Sequence, residues 1–179
     1  MKNYIIMHGT GGSKDGNWFP WLKKEIETRG EYRCELKQFP IGLGIQSYNS
    51  WAKEFDKFNI NEDTIIFAHS LAPIFVVKYL LNNNKKITKL VSVAGFNSNG
   101  NVAEINEMNS TFLIDDIKGF ENHCKERVCI YSDNDPYLSF ESQDKFADEI
   151  KAEKIIIKGG KHLNAESGYI KLEELLRHI

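Results

Sequence analysis

The stretch Thr64-Ile65-Ile66-Phe67-Ala68-His69-Ser70-Leu71-Ala72-Pro73 decides how the chain is read. A β-branched and aromatic run leads to one serine set between two alanines, and an apolar, helix-like run follows through Leu81. This is how a strand, a tight turn and a helix are written. A serine at such a reversal points outward, and small residues beside it relieve crowding where the backbone passes close to neighbouring strands. The helix start adds unpaired N–H groups and the positive end of a dipole, both suited to an oxyanion forming beside Ser70.

Outward from this stretch, the pattern repeats. Tyr4-Ile5-Ile6-Met7 reads as a buried parallel strand feeding the turn-forming cluster His8-Gly9-Thr10-Gly11-Gly12-Ser13. Pro20, Leu22 and Ile26 predict a helix that stops at Gly30. Cys34 to Phe39 is a more polar strand, placed nearer a sheet edge, and Pro40 to Gly44 a turn-rich loop. Trp51, Phe55 and Phe58 share a helix face, with Ser50 as its cap.

Beyond the central unit, Lys89 to Ala94 is the next strand, and Phe96 to Ser110 an Asn-rich loop with a short helix. A helix is expected from about Asp115 to Lys125, then a strand over Val128 to Tyr131. Ser139 caps a helix with Phe146 and Ile150 on one face, Ile155 to Ile157 is the last strand, and a closing helix docks through Leu172, Leu175, Leu176 and Ile179. About six strands alternating with helices predict an α/β three-layer sandwich: a parallel sheet with helices on both faces. Ligands then bind beyond the strands' carboxyl ends, where His8, Ser70, Asp135 and His162 fall.

A chain of 179 residues with 41% hydrophobic content suits one core, so residues 1–179 are read as a single domain. The 25 acidic and 23 basic residues nearly balance, which offers nothing to attract nucleic acid. No apolar run is long enough to cross a bilayer, so no membrane association is expected. Cys34, Cys124 and Cys129 lack metal-ligand spacing, and the N-terminus enters a strand directly, which points to the cytoplasm.

A serine hydroxyl needs a histidine to take its proton and an acid to orient that histidine. His162 follows the last strand and the flexible Gly159-Gly160 pair, in a loop able to carry its imidazole over the sheet. For the acid, Asp133 and Asp135 compete in Ser132-Asp133-Asn134-Asp135-Pro136, and either could instead organise the turn. The oxyanion needs two backbone donors, expected from Leu71 and from Thr10 in the loop after the first strand, with Gly11 as the substitute for Thr10. His8 and His69 are read as structural, and His123 and His178 as without catalytic context.

Ala68-His69-Ser70-Leu71-Ala72 resembles the nucleophile elbow of the α/β-hydrolase superfamily, with alanines where the GxSxG pattern has glycines. Alanine is the tighter fit, and it costs more than glycine if either position needs a positive φ. His8-Gly9 resembles the oxyanion-loop motif of lipases and esterases. Together with the Trp18 to Leu22 helix start, Ser132 to Leu138 and Gly159 to Asn164, these motifs resemble the small serine hydrolases related to retinoblastoma-binding protein 9. The resemblance implies an α/β-hydrolase fold without a large cap and a Ser70, Asp135, His162 triad, with Asp135 favoured by the proline that follows it.

The expected substrate is a small molecule with an acyl group, attacked by Ser70 without metal or cofactor. Its identity depends on walls from Gly9 to Trp18, Pro40 to Tyr48 and Phe96 to Ser110. Three other readings compete. A nucleotide-binding loop at His8 to Lys14 fails on spacing, since GxGxxG requires glycine where Lys14 stands. A thiol enzyme fails because Cys129 falls in a buried strand and Cys124 in a helix turn. A catalytically silent binding protein built on the same elbow remains the rival.

Overall fold

The computed structural model describes residues 2–30 and 32–179. Six strands, β1 (Asn3–Met7), β2 (Arg33–Leu36), β3 (Thr64–His69), β4 (Ile87–Val93), β5 (Cys124–Ser132) and β6 (Glu153–Ile157), pair in the order β2-β1-β3-β4-β5-β6. Every pairing is parallel. The expected sheet is present, with the more polar β2 at an edge.

Successive residues of each central strand face opposite layers. In β1, Tyr4 and Ile6 join one buried cluster while Ile5 and Met7 join the other; in β3, Ile65 and Phe67 oppose Ile66 and Ala68 in the same way. Helix α1 (Phe19–Thr28) buries Phe19, Leu22 and Ile26 on the first face. The second face carries α2 (Tyr48–Phe55), α3 (Ala72–Asn82) and α5 (Phe140–Glu149), with α4 (Ala103–Asn109) in the segment between β4 and β5. Helix α3 is buried on nearly every side, so the strand–turn–helix unit is the middle of the molecule.

The strand order places the site. From β1 the chain moves to β2 on one side, then returns to lay β3 on the other side of β1. The topological switch point therefore lies between β1 and β3, where the crossover direction reverses and the two outgoing loops diverge. Those loops are His8 to Ser13 and the turn at Ser70.

Four expectations change. Strand β2 stops at Leu36, because Phe39 leaves the sheet to donate its N–H to His8 Nε2 at 2.9 Å. The cap of α2 is Ser47, with Ser50 as the reciprocal member of a capping box, so the helix begins one turn earlier than Ser50 implied. The helix expected from Asp115 to Lys125 is only the 3₁₀ turn Phe120–Asn122, since Gly119 in the left-handed region (φ 82) breaks it and β5 begins already at Cys124. Cys124 thus sits at a strand start, not in a helix turn. The closing segment Glu173–His178 is likewise 3₁₀. Its buried residues Leu172, Leu175 and His178 recur every third position, the period of that tighter helix.

Candidate active site

The elbow forms where the sequence placed it. Ser70 has φ 59, and its N–H donates to Val93 O at 2.8 Å, which anchors the reversal to β4. The left-handed residue is the serine itself; Ala68 lies in β3 and Ala72 in α3, and neither has positive φ. The alanines therefore carry no backbone penalty, and only their single methyl groups must be accommodated. A Cβ at Gly9 would lie 2.5 Å from Ser70 Cβ and 3.0 Å from Ser70 Oγ, so the loop after β1 runs directly against the serine.

His162 Nε2 lies 3.2 Å from Ser70 Oγ, and His162 Nδ1 lies 2.7 Å from Asp135 Oδ2. The Asp135 side chain is fully buried, and its Oδ1 accepts from Tyr137 N at 2.9 Å and Leu138 N at 3.2 Å. Asp133 is used differently: its Oδ1 accepts from Gly159 N at 2.7 Å, which ties the two loops together. Asn134 repeats this device on Lys161 N at 2.8 Å. Three consecutive side chains of one loop therefore hold the other, and only Asp135 reaches the imidazole.

The histidine loop is held from beneath as well. His69 Nε2 donates to His162 O at 3.0 Å, Trp18 Nε1 donates to Leu163 O at 3.1 Å, and Ser132 Oγ donates to Lys161 O. Lys161 (φ 51) and Leu163 (φ 50) are both left-handed, a tight path that these bonds secure. Burial, and next the neighbouring His162, push the His69 imidazole from 6.5 down to about 3. A neutral ring with a donating Nε2–H is the state that this carbonyl selects.

His8 is also structural. Its Nε2 accepts from Phe39 N, its Nδ1 donates to Gly9 O at 2.8 Å, and burial lowers its pKa. Gln38 Nε2 donates to Gly12 O at 3.0 Å, so the flanks of the Gly9 to Gly12 turn are fastened from one side. The turn closes through Gly12 N to Gly9 O at 3.1 Å, with Thr10 and Gly11 at its corners. Gly11 N donates to Gln46 Oε1 at 3.3 Å, whereas neither the Thr10 N–H nor the Leu71 N–H has an acceptor among the described residues. Leu71 immediately precedes α3, so the helix offers its N–H no carbonyl.

Ser70 and His162 open into a cavity of about 290 Å³. Phe96, Val102, Ile105, Tyr137 and Leu138 supply its apolar wall, and none of the lining residues is lysine or arginine. The Tyr137 ring packs edge-on against His162 with centroids 4.9 Å apart. The wall contributed by Phe96 to Asn109 matches the sequence reading, whereas the exposed aliphatics of the Pro40 to Tyr48 loop do not line the cavity. Among the described residues, no group of side chains suited to a metal ion occurs, and no helix is long and apolar enough to cross a membrane.

Gln38, Gln46, Asn109, Asn134 and Trp18 escaped the sequence reading. Each acts through hydrogen bonds to segments distant in the chain, and no periodicity or local spacing marks those bonds. The tryptophan alone carried a signal, as the residue opening the helix after the first strand.

The chain is 25% identical over 175 residues to YdeN of Bacillus subtilis (strain 168), covering 96% of this chain and 90% of that one. It is 24% identical over 156 residues to the serine hydrolase RBBP9 of Rattus norvegicus, covering 83% and 80%. The crystal structure of the B. subtilis ydeN product superposes with a TM-score of 0.88 at 22% identity, over 99% of this chain and 96% of that one. These likenesses agree with the α/β-hydrolase architecture, and the serine hydrolase family model matches residues 4–179. The chain belongs to the serine hydrolase family.

Proposed function

We propose that the protein hydrolyses carboxylic esters or related acyl compounds through an acyl-enzyme on Ser70. The observation that carries this reading is the continuous line from Ser70 Oγ to His162 Nε2 at 3.2 Å and from His162 Nδ1 to Asp135 Oδ2 at 2.7 Å. In the acylation step Ser70 Oγ attacks the acyl carbon while His162 Nε2 takes its proton, and Asp135 stabilises the resulting imidazolium. The tetrahedral oxyanion is received by the N–H groups of Thr10 and Leu71, whose freedom from protein acceptors supports that role. His162 then returns the proton to the departing alcohol oxygen. Water repeats the sequence on the acyl-enzyme, releases the acid and restores Ser70.

The cavity lining supports an acyl group of modest size that carries no negative charge, since among the described residues Glu166 lines it and no lysine or arginine does. Three buried free cysteines are in keeping with a reducing cytoplasm, which we propose as the compartment. A fluorophosphonate probe that labels the wild-type protein and not Ser70→Ala supports the hydrolase. Folded protein that takes no label and turns over none of a series of p-nitrophenyl esters is instead a binding protein on a hydrolase frame.

A further inference from the structure

The oxyanion donor expected from Thr10 sits on a turn, and a turn left to itself is a poor place for a preorganised N–H. His8 holds the carbonyl of Gly9, in the same peptide as the Thr10 N–H, and Gln38 holds the carbonyl of Gly12, but neither reaches the Thr10 side chain or the Gly11 N–H beyond it. The tip is held from the opposite side by two buried amides. Gln46 Oε1 accepts from Gly11 N at 3.3 Å, Gln46 Nε2 donates to Asn109 Oδ1 at 3.1 Å, and Thr10 Oγ1 donates to the same Asn109 oxygen at 2.6 Å. The bonds close a ring through Thr10, Gly11, Gln46 and Asn109.

The ring is directional. Gly11 N–H forces Gln46 to present its oxygen on that side and therefore its nitrogen to Asn109; the Gln46 nitrogen requires an oxygen on Asn109, and the Thr10 hydroxyl, able to donate or accept, donates to that same oxygen. Turning either amide over would bring donor against donor. Gln46 is 5% and Asn109 3% exposed, so water offers little substitute if the ring opens.

We propose that Gln46 and Asn109 are positioning residues that hold Thr10 at the corner of the turn and so keep its N–H in place beside Ser70. The inference rests on the hydrolase reading above. The Thr10 N–H shares a peptide plane with the Gly9 carbonyl, which His8 Nδ1 and Gly12 N already hold; the ring adds a hold on the other side of Thr10, through its hydroxyl and the Gly11 N–H, so the corner residue is fixed from both sides. Asn109 is the last residue of α4, and Ile105 and Asn106 of the same helix line the cavity. The helix that meets the acyl group therefore also sets the donor for its oxyanion, which links substrate fit to the rate of the chemical step.

The test compares Asn109→Leu, Gln46→Leu, Thr10→Val and Thr10→Ser in p-nitrophenyl acetate hydrolysis. A donor displaced by a fraction of an ångström up to 1 Å costs roughly tenfold to a hundredfold in rate, so kcat falls by that factor in the first three variants. KM stays within about twofold, because the loss is confined to the transition state. Thr10→Ser retains the hydroxyl and stays within about threefold of wild type, and Thr10→Val/Asn109→Leu is no worse than the poorer single variant, since both open one ring. Unchanged kcat, a loss confined to KM, or losses that simply track the melting temperature would each overturn the proposal. If wild-type protein neither labels with fluorophosphonate nor turns over ester, the hydrolase reading fails on its own. Amide hydrogen exchange at Gly11 then decides the ring: it should quicken by about tenfold or more in Asn109→Leu, and unchanged exchange rejects the ring.

Discussion

Replacing Gly9 by alanine tests whether the loop after β1 and the serine are fitted to each other. The new Cβ would stand 2.5 Å from Ser70 Cβ, 3.0 Å from His69 O and 3.0 Å from Ser70 Oγ. Carbon atoms rest at about 3.5–4.0 Å, so loop and elbow must separate by roughly 1 Å. Neither yields easily. The loop is fastened through the carbonyls of Gly9 and Gly12, while Ser70 holds φ 59 with its N–H on Val93 O. A 1 Å error in the placement of a reacting group costs about a hundredfold, or about 2.7 kcal/mol of transition-state stabilisation. Gly9→Ala should therefore lower kcat/KM for a p-nitrophenyl ester by about that factor and slow fluorophosphonate labelling alike. Gly11→Ala is the contrast, because nothing lies within 4 Å of its Cβ and only φ +60 opposes it. Its cost is backbone strain of about 1–2 kcal/mol, read in thermal unfolding. Wild-type kcat/KM in folded Gly9→Ala would refute the close approach and the tight oxyanion loop argued from it.

Three further outcomes follow from the site. Asp135→Asn should lower kcat by about 10⁴ through loss of the imidazole's orienting partner, while Asp133→Asn loses only a loop bond to Gly159 N and keeps most activity; steady-state kinetics of the two variants settle which carboxylate serves the histidine. Burial pushes the thiols of Cys34, Cys124 and Cys129 up to about 12, so iodoacetamide at neutral pH should leave native activity intact, and inactivation that tracks one alkylated cysteine would contradict this. His69 stays neutral down to about 3 in the folded chain but takes up a proton below about 6.5 when unfolded. The unfolded state then binds more protons, so stability falls as pH drops from about 6.5 toward 3, by about 1.4 kcal/mol per pH unit from this group. Urea unfolding of His69→Gln at pH 7 and pH 5.5 should show a shallower fall than wild type, and equal slopes would place that titration elsewhere.

Hydrophobic period carried most of the fold, and where it misled the cause was local. Ile117 and Phe120 are buried and lie three residues apart, a helix-like spacing, yet Gly119 between them turns left-handed and ends any helix there. The final segment has the leucines of a docked helix, but its burial at Leu172, Leu175 and His178 follows a three-residue repeat. Ser50 and Ser47 belong to one capping box, and a serine at either end reads alike until the backbone shows which one is extended.

The candidate triad was legible for a different reason. Each of its members follows a strand that the apolar pattern identifies, and a parallel sheet delivers all such loops to one edge. Nothing comparable marks Gln46 and Asn109, which lie in segments of weak periodicity and meet the Thr10–Gly11 corner and each other only across 35 to 99 residues of chain. A buried amide earns its place by what it bonds, and those partners are set by the packing of α4 and the Pro40 to Ser47 loop against the β1 turn. The candidate triad can thus be read from its members' position along strands, whereas the proposed positioning residues are visible only once three separate segments have been brought together.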